Sequence, residues 1–251
     1  MIEIKNLTKS FGDKKITRGL DLTINDHDFL AIIGRSGEGK SVLLKQIIGL
    51  IKPDSGEIII DGQNITKLPK KELENIYKKC GYVFQFAALL DSLNVFENIG
   101  ITLLEENISP QDVKPKVMLK LKSVGLSEDS LYKFPDELSG GMKKRVGLAR
   151  TLMLSPKILI YDEPTTGLDP ITVNLIHELI KKTHEDCQAT TIVISHDIEV
   201  FKYATRVAML HEGKIIYAGP TKGIWECDNP YIYQFIRGLS KGPITNENKT
   251  T

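Results

Sequence analysis

Residues 34–41 read Gly-Arg-Ser-Gly-Glu-Gly-Lys-Ser, the pattern G-x-x-x-x-G-K-[ST], and their surroundings leave few folds open. The apolar run Phe29-Leu30-Ala31-Ile32-Ile33 before them reads as a buried strand. Behind them, residues 41–50 have helical spacing, with Leu43, Leu44, Ile47 and Ile48 on one side. A strand that delivers a glycine-rich turn to a helix N-terminus lines up backbone N–H groups and the positive end of a helix dipole, which together make an anion site. Gly34, Gly37 and Gly39 allow the backbone to curl around phosphate oxygens. Lys40 is expected to reach the β- and γ-phosphates, and the Ser41 hydroxyl to ligate Mg²⁺. Arg35, Ser36, Glu38 and Val42 complete the expected nucleotide contacts. The plainer alternative is a glycine-rich turn that only packs. The strand–loop–helix context favours a nucleoside triphosphate.

The balance of 33 Lys and Arg against 32 Asp and Glu gives a net charge of +1, so no whole-chain field points to nucleic acid or anionic lipid. The basic clusters Lys78-Lys79 and Lys143-Lys144-Arg145 read as solvated helix faces. Cys80, Cys187 and Cys227 lie far apart without metal-ligand spacing and read as free thiols of a reducing compartment. No apolar run approaches the ~20 residues that span a bilayer, and no signal peptide is visible. A cytoplasmic location is expected, with any membrane role exercised through partners.

Alternating residues at 1–5, 21–24 and 56–62 predict a strand-rich start, the last closed by Asp61-Gly62. Residues 81–85 predict another short strand. Helices are expected over 95–105, 112–124 and 140–154. Strands and helices then alternate: strand 157–161, helix 171–185, strand 190–195, helix 197–203, and a hairpin of 206–211 with 214–218 around Glu212-Gly213. The pattern is α/β, with a single domain over 1–240, a helical subdomain inserted at about 88–155, and a polar, frayed tail at 241–251.

A second motif, Ile-Leu-Ile-Tyr-Asp-Glu-Pro at 158–164, ends an apolar strand in adjacent carboxylates. Asp162 is expected to hold Mg²⁺ through water. Glu163 leaves the strand end in a different direction and can orient or polarise an attacking water. Alone, such a triplet is usually a turn; paired with the phosphate loop it points to hydrolysis. Leu-Ser-Gly-Gly-Met-Lys-Lys-Arg at 138–145 offers Ser139 as a helix cap. Two glycines inside a first helical turn are unfavourable by about 1 kcal/mol each relative to Ala, so something should need a bare backbone there. The Ser139 hydroxyl and the Gly140 and Gly141 N–H groups could cradle a γ-phosphate. One chain cannot easily bring this loop and its own phosphate loop to one nucleotide, so two chains facing head to tail are expected.

With these motifs in order, nearly the whole chain resembles the ATP-binding subunit of an ABC transporter. That family's fold is a P-loop NTPase core with a mainly parallel sheet, an antiparallel β subdomain near the N-terminus and an inserted α-helical subdomain. The resemblance implies that Gln85 contacts Mg²⁺ or water and reports nucleotide state to a membrane partner. It implies that His196, in Thr-Ile-Val-Ile-Ser-His-Asp, contacts the γ-phosphate. It also implies that Asp169 crosses the dimer interface and that Phe11 stacks on adenine. Without the family, His196 would be a capping or packing histidine, and Phe11 would as soon be a core residue. Met142 departs from the commonest pattern, where glutamine stands, but Ser139 and the glycines carry the expected phosphate contact. LSGGM, residues 84–99, residues 165–172 and residues 229–238 resemble the Mla-type ATPases, which power MCE-protein lipid transporters in the envelope of Gram-negative bacteria and in plastids.

That finer resemblance implies phospholipid transport, integral membrane permease subunits, an MCE-domain lipid-binding partner and attachment to the cytoplasmic face of the inner membrane. The apolar segment 86–90 after Gln85 has internal packing as its plainer reading, but an exposed groove for a short helix of the membrane subunit is the favoured expectation. Rival expectations are an ABC importer for amino acids or ions and a soluble ABC ATPase of DNA repair or translation. The second is disfavoured because no long coiled coil, second ATPase domain or basic extension is visible, and no nucleic-acid partner is expected.

Overall fold

The computed structural model describes residues 1–246 of the 251-residue chain, in two compact units. The first consists of Met1–Pro69 and the residues from Ile194 onward, and the second of Lys70–Val193. The divisions after Pro69 and Val193 enclose a longer stretch than the helical insertion expected at 88–155.

In the first unit, β1 (Ile2–Phe11), β2 (Lys14–Ile24), β4 (Ser55–Ile60) and β5 (Gln63–Asn64) form a sheet in the order β2-β1-β4-β5. Its pairs are antiparallel. Ile2 lies opposite Ile24 and Ile60, and Ile4 opposite Leu22 and Ile58. All six are buried, so the two-residue period of a strand fixes the register: a one-residue slip would turn this set to solvent. A second group has the order β10-β9-β3, from β3 (Phe29–Ile33), β9 (Arg206–His211) and β10 (Lys214–Pro220). β3 runs parallel to β9, with Ile32 beside Ala208, and every residue of β3 is buried. Such an unbroken apolar run is what a strand covered on both faces requires. The unit also holds α1 (Lys40–Ile47), α7 (Pro230–Ile236) and α8 (Pro243–Asn246).

The second unit contains α2 (Lys70–Lys79), β6 (Cys80–Val83), α3 (Val95–Glu105), α4 (Pro110–Ser123), α5 (Gly140–Leu152), β7 (Ile158–Asp162), α6 (Pro170–Cys187) and β8 (Thr190–Ile194). Its strand order is β8-β7-β6, with β6 and β7 parallel. Helices α3, α4 and α5 pack on one another and bury Ile99, Val113, Val117, Leu121 and Val146.

One expectation is refined and two need correction. The helix expected at 197–203 is a 3-10 helix, Ile198–Lys202. Lys144 is buried rather than solvated, and its ammonium donates to the Thr166 carbonyl at 2.9 Å. The tail does not fray from residue 241: α8 forms there, Ile244 is buried, and its N–H donates to Gln234 Oε1 at 2.9 Å. The rest of the expected tail, 247–251, lies outside the described residues. Among the described residues, no helix is long and apolar enough to cross a membrane.

Candidate nucleotide site

In the first unit, β3 delivers the chain to residues 34–39, and α1 starts at Lys40. Gly39 occupies the cap position with φ 95°, and a Cβ there would run into the Ile16 side chain. Only glycine satisfies both demands. Lys40 is buried, and its ammonium donates to the carbonyls of Gly34 and Arg35, both at 2.8 Å. The loop is thus curled around the cation expected to meet phosphate. Ser41 and Val42 follow, half-buried, in the first turn of α1, where backbone N–H groups have no intrahelical acceptor.

A cleft of about 290 Å³ adjoins the loop, lined by the cations Lys14, Lys15, Arg18 and Arg35, the acids Glu38 and Glu212, and Ser36 and Gly37. The four cations outnumber the two acids, and Glu38 is itself engaged by His211 and the Glu212 N–H, so the cleft suits a polyanion such as a triphosphate. A larger cleft, about 570 Å³ between Trp225 and Pro243, has neither a phosphate loop nor a comparable density of cations, and chemistry rather than size favours the smaller one. Lys14, Lys15 and Arg18 were not singled out by sequence, where they are ordinary charges on a strand. Phe11 ends β1 at 50% exposure, with the Lys9 ammonium 5.3 Å from its ring centroid, so it is not a core residue. The Arg35 guanidinium donates to the Ile244 carbonyl at 3.3 Å. The Glu38 carboxylate is engaged by His211 and by the Glu212 N–H rather than turned to the cleft's cations. His196 is exposed just past β8, where the Ser195 N–H donates to the Ile32 carbonyl at 3.2 Å beside the strand that feeds the loop.

In the second unit, β7 ends at Asp162, which is 8% exposed and accepts the Tyr82 hydroxyl at 2.8 Å. Burial, reinforced by the Asp162 charge and by that hydrogen bond, pushes the Tyr82 phenol well above its ordinary pKa. Tyr82 therefore stays a donor and fixes one carboxylate oxygen. Glu163 follows with φ 49°, in the left-handed region that costs a non-glycine residue energy and is found disproportionately at working sites. Its Oε2 accepts the Thr166 hydroxyl at 3.2 Å and the Gln85 side-chain N–H at 3.4 Å. Gln85 and Glu163, singled out separately in the sequence, thus meet. Tyr82 and Thr166 were missed, because a tyrosine on a strand and a threonine in a turn carry no signal of their own. Burial draws the pKa of Lys144 down while the nearby Glu163 charge opposes that shift.

Ser139 caps α5, accepting the Met142 N–H at 3.3 Å. A Cβ on Gly141 would come within 2.7 Å of the Thr172 methyl group, so packing alone accounts for one bare residue. A Cβ on Gly140 would meet only Leu168 at an ordinary 3.5 Å, so packing leaves the second glycine unexplained. Asp169 caps α6: one oxygen accepts from the Ile171 and Thr172 N–H groups, both at 3.0 Å, and the other from the Thr172 hydroxyl at 2.6 Å. The Thr172 hydroxyl and amide bonds, with a smaller contribution from the Ile171 amide, hold its carboxyl below the usual range.

Ser41 brings a hydroxyl in the first unit, and Asp162 and Gln85 bring a carboxylate and a side-chain amide in the second, each of them an oxygen donor of the kind Mg²⁺ takes. Among the described residues no group of three or more His, Cys, Asp or Glu could hold a metal.

Residues 17–166 match the family described as ABC transporter. The chain is 40% identical over 245 residues to the probable ribonucleotide transport ATP-binding protein mkl of Mycobacterium tuberculosis, covering 97% of this chain and 68% of that one. It is 38% identical over 246 residues to the intermembrane phospholipid transport system ATP-binding protein MlaF of Haemophilus influenzae, covering 97% and 93%. Among solved structures, the dimeric post-hydrolysis state of the ATP-binding cassette MJ0796 with ADP and Pi superposes with a TM-score of 0.81 at 33% identity, over 88% of this chain and 99% of that one. The chain belongs to the ABC transporter family, as one of its ATPase cassettes.

Proposed function

We propose that this ATPase works as a head-to-tail dimer and powers phospholipid transport between envelope membranes. The observation that carries the lipid reading is the MlaF match, which extends over 93% of that protein, against 68% for mkl, whose name gives a different cargo. Supporting partners are integral membrane permease subunits and an MCE-domain lipid-binding protein, with the cassette held at the cytoplasmic face of the inner membrane. Phe86, 82% exposed, with Phe84 and Leu90 also exposed, suits an apolar docking helix from a permease.

In this reading Phe11 stacks on adenine, and residues 34–42 bind the phosphates. Lys40 exchanges a loop carbonyl for a phosphate oxygen and balances the charge that develops in the transition state. Bound Mg²⁺, held by Ser41, Asp162 and Gln85, would neutralise phosphate charge. Glu163 takes a proton from, or orients, the attacking water, with Thr166 and Gln85 aiming its carboxylate. His196 contacts the γ-phosphate. Ser139, Gly140 and Gly141 of the partner copy close over the same phosphate, and Asp169 lies at that interface.

Glu163→Gln keeps the shape and loses the base, so ATP should still bind while turnover falls by about a hundredfold or more. Near-normal hydrolysis would remove Glu163 from the role. The cargo is tested by mass spectrometry of the protein purified with its membrane partners. An MCE-domain protein with bound phospholipid is expected; a solute-binding protein without lipid would leave the ATPase intact and point to an importer.

A further inference from the structure

A carboxylate inside a phosphate-binding loop is electrostatically misplaced, because it repels the anion the loop exists to hold. Glu38 is such a group, one residue before Gly39-Lys40. Its side chain is nearly buried and directed to the turn after β9. There one oxygen pairs with His211 Nδ1 at 3.2 Å and the other accepts the Glu212 N–H at 2.7 Å. The charge is absorbed by two partners, and the loop is fastened to the β9–β10 turn.

The fastening continues. The His211 ring lies against the Tyr231 ring in α7, with centroids 4.6 Å apart. Asn229 caps that helix through the Tyr231 N–H at 3.0 Å. From the same helix, the Gln234 side chain accepts the Ile244 N–H and donates to the Leu239 carbonyl at 3.1 Å. The Ile244 carbonyl in turn accepts from Arg35, the second residue of the phosphate loop. The chain of contacts thus leaves the loop at Glu38 and returns to it at Arg35, entirely within the first unit.

We propose that Glu38 and His211 are positioning residues, through which the segment 229–244 sets the shape of the phosphate loop for the triphosphate. The proposal rests on the reading that this loop binds ATP. Glu38 acts through the backbone N–H groups it places, and small displacements of such groups are costly to binding. A merely structural Glu38 would instead lower the fraction of folded chains.

Calorimetric titration of the full chain with Mg-ATP separates these roles, because it gives the dissociation constant and the number of sites independently. For Glu38→Ala, affinity should weaken by about tenfold with the site number unchanged, in keeping with loss of hydrogen bonds to a charged group. Glu38→Gln, whose amide can accept from Glu212 N–H and donate to His211 Nδ1, should recover to within about threefold of the original chain. His211→Ala should weaken affinity by about threefold, and adding it to Glu38→Ala should change nothing further, the signature of one coupled unit. Unchanged affinity in Glu38→Ala, a fall in site number at constant affinity, or full additivity of the two substitutions would each overturn the proposal. The near-isosteric Glu38→Gln and the conserved backbone of His211→Ala keep the test decisive if Glu38→Ala folds poorly. An unsubstituted chain that binds no Mg-ATP would instead overturn the nucleotide reading itself.

Discussion

Glu163 shows how little of a working residue's environment its neighbours in sequence reveal. The motif gives a carboxylate after a strand. It does not give the left-handed backbone, the Thr166 hydroxyl or the Gln85 amide, which come from a turn three residues on and from a loop beyond another strand. Removing the hydroxyl with Thr166→Val should let the carboxylate swing. The account expects kcat for ATP hydrolysis to fall several-fold, about the value of one neutral-to-charged hydrogen bond, with KM little changed. Steady-state kinetics check it: a raised KM at constant kcat would place Thr166 in ground-state binding. Lys144 was misjudged for a related reason. Three consecutive basic residues look solvated, yet on a helix they point 100° apart: Lys144 turns inward to the Thr166 carbonyl, and Arg145 lies half-buried against the Gly125 carbonyl at 3.0 Å.

Among the elements, α3 has the bounds expected from sequence, 95–105, and the structure shows its start fixed by a capping box of Asn94 and Glu97. Of α2, only the Lys78-Lys79 end was read as helical from sequence, because apolar residues are few: Leu73, Ile76 and Tyr77 share one face and only Ile76 is buried. The helix expected at 197–203 forms as a 3-10 helix over Ile198–Lys202, a distinction that short apolar spacings of three and four do not make. The loop after Gln85 is held by devices invisible to periodicity. Arg150 donates to the Ala87 and Ala88 carbonyls at 2.9 and 2.8 Å. Asn98, fully buried, accepts the Leu90 N–H and donates to the Leu90 and Leu93 carbonyls at 3.0 and 2.7 Å. Asn98→Ala would strand those buried groups and should destabilise the protein by about 2–3 kcal/mol. Urea unfolding checks this figure; a loss under 0.5 kcal/mol, roughly the scale of an ordinary surface substitution, would mean the loop is ordered by something else.

For the whole molecule, the phosphate loop, the strand ending in Asp162-Glu163 and the alternation of strands and helices are legible because each rests on local periodicity or on a chemical demand for particular residues. The positions of the divisions after Pro69 and Val193 were not, since long-range pairing rather than local pattern sets them. A two-chain site was argued from Ser139-Gly140-Gly141. The structure narrows that argument: Thr172 explains the bareness of Gly141, while Gly140 has no packing partner that demands it. The central claim, ATP as the ligand between two copies, is therefore best tested on that loop. Light scattering of Glu163→Gln, with and without Mg-ATP, should show the mass double on adding nucleotide, since ATP binds without being turned over. Adding Ser139→Arg, which blocks the loop and leaves every residue of the phosphate loop unchanged, should hold the protein at the mass of one chain while ATP still binds. A double variant that still doubles its mass with ATP would contradict the account.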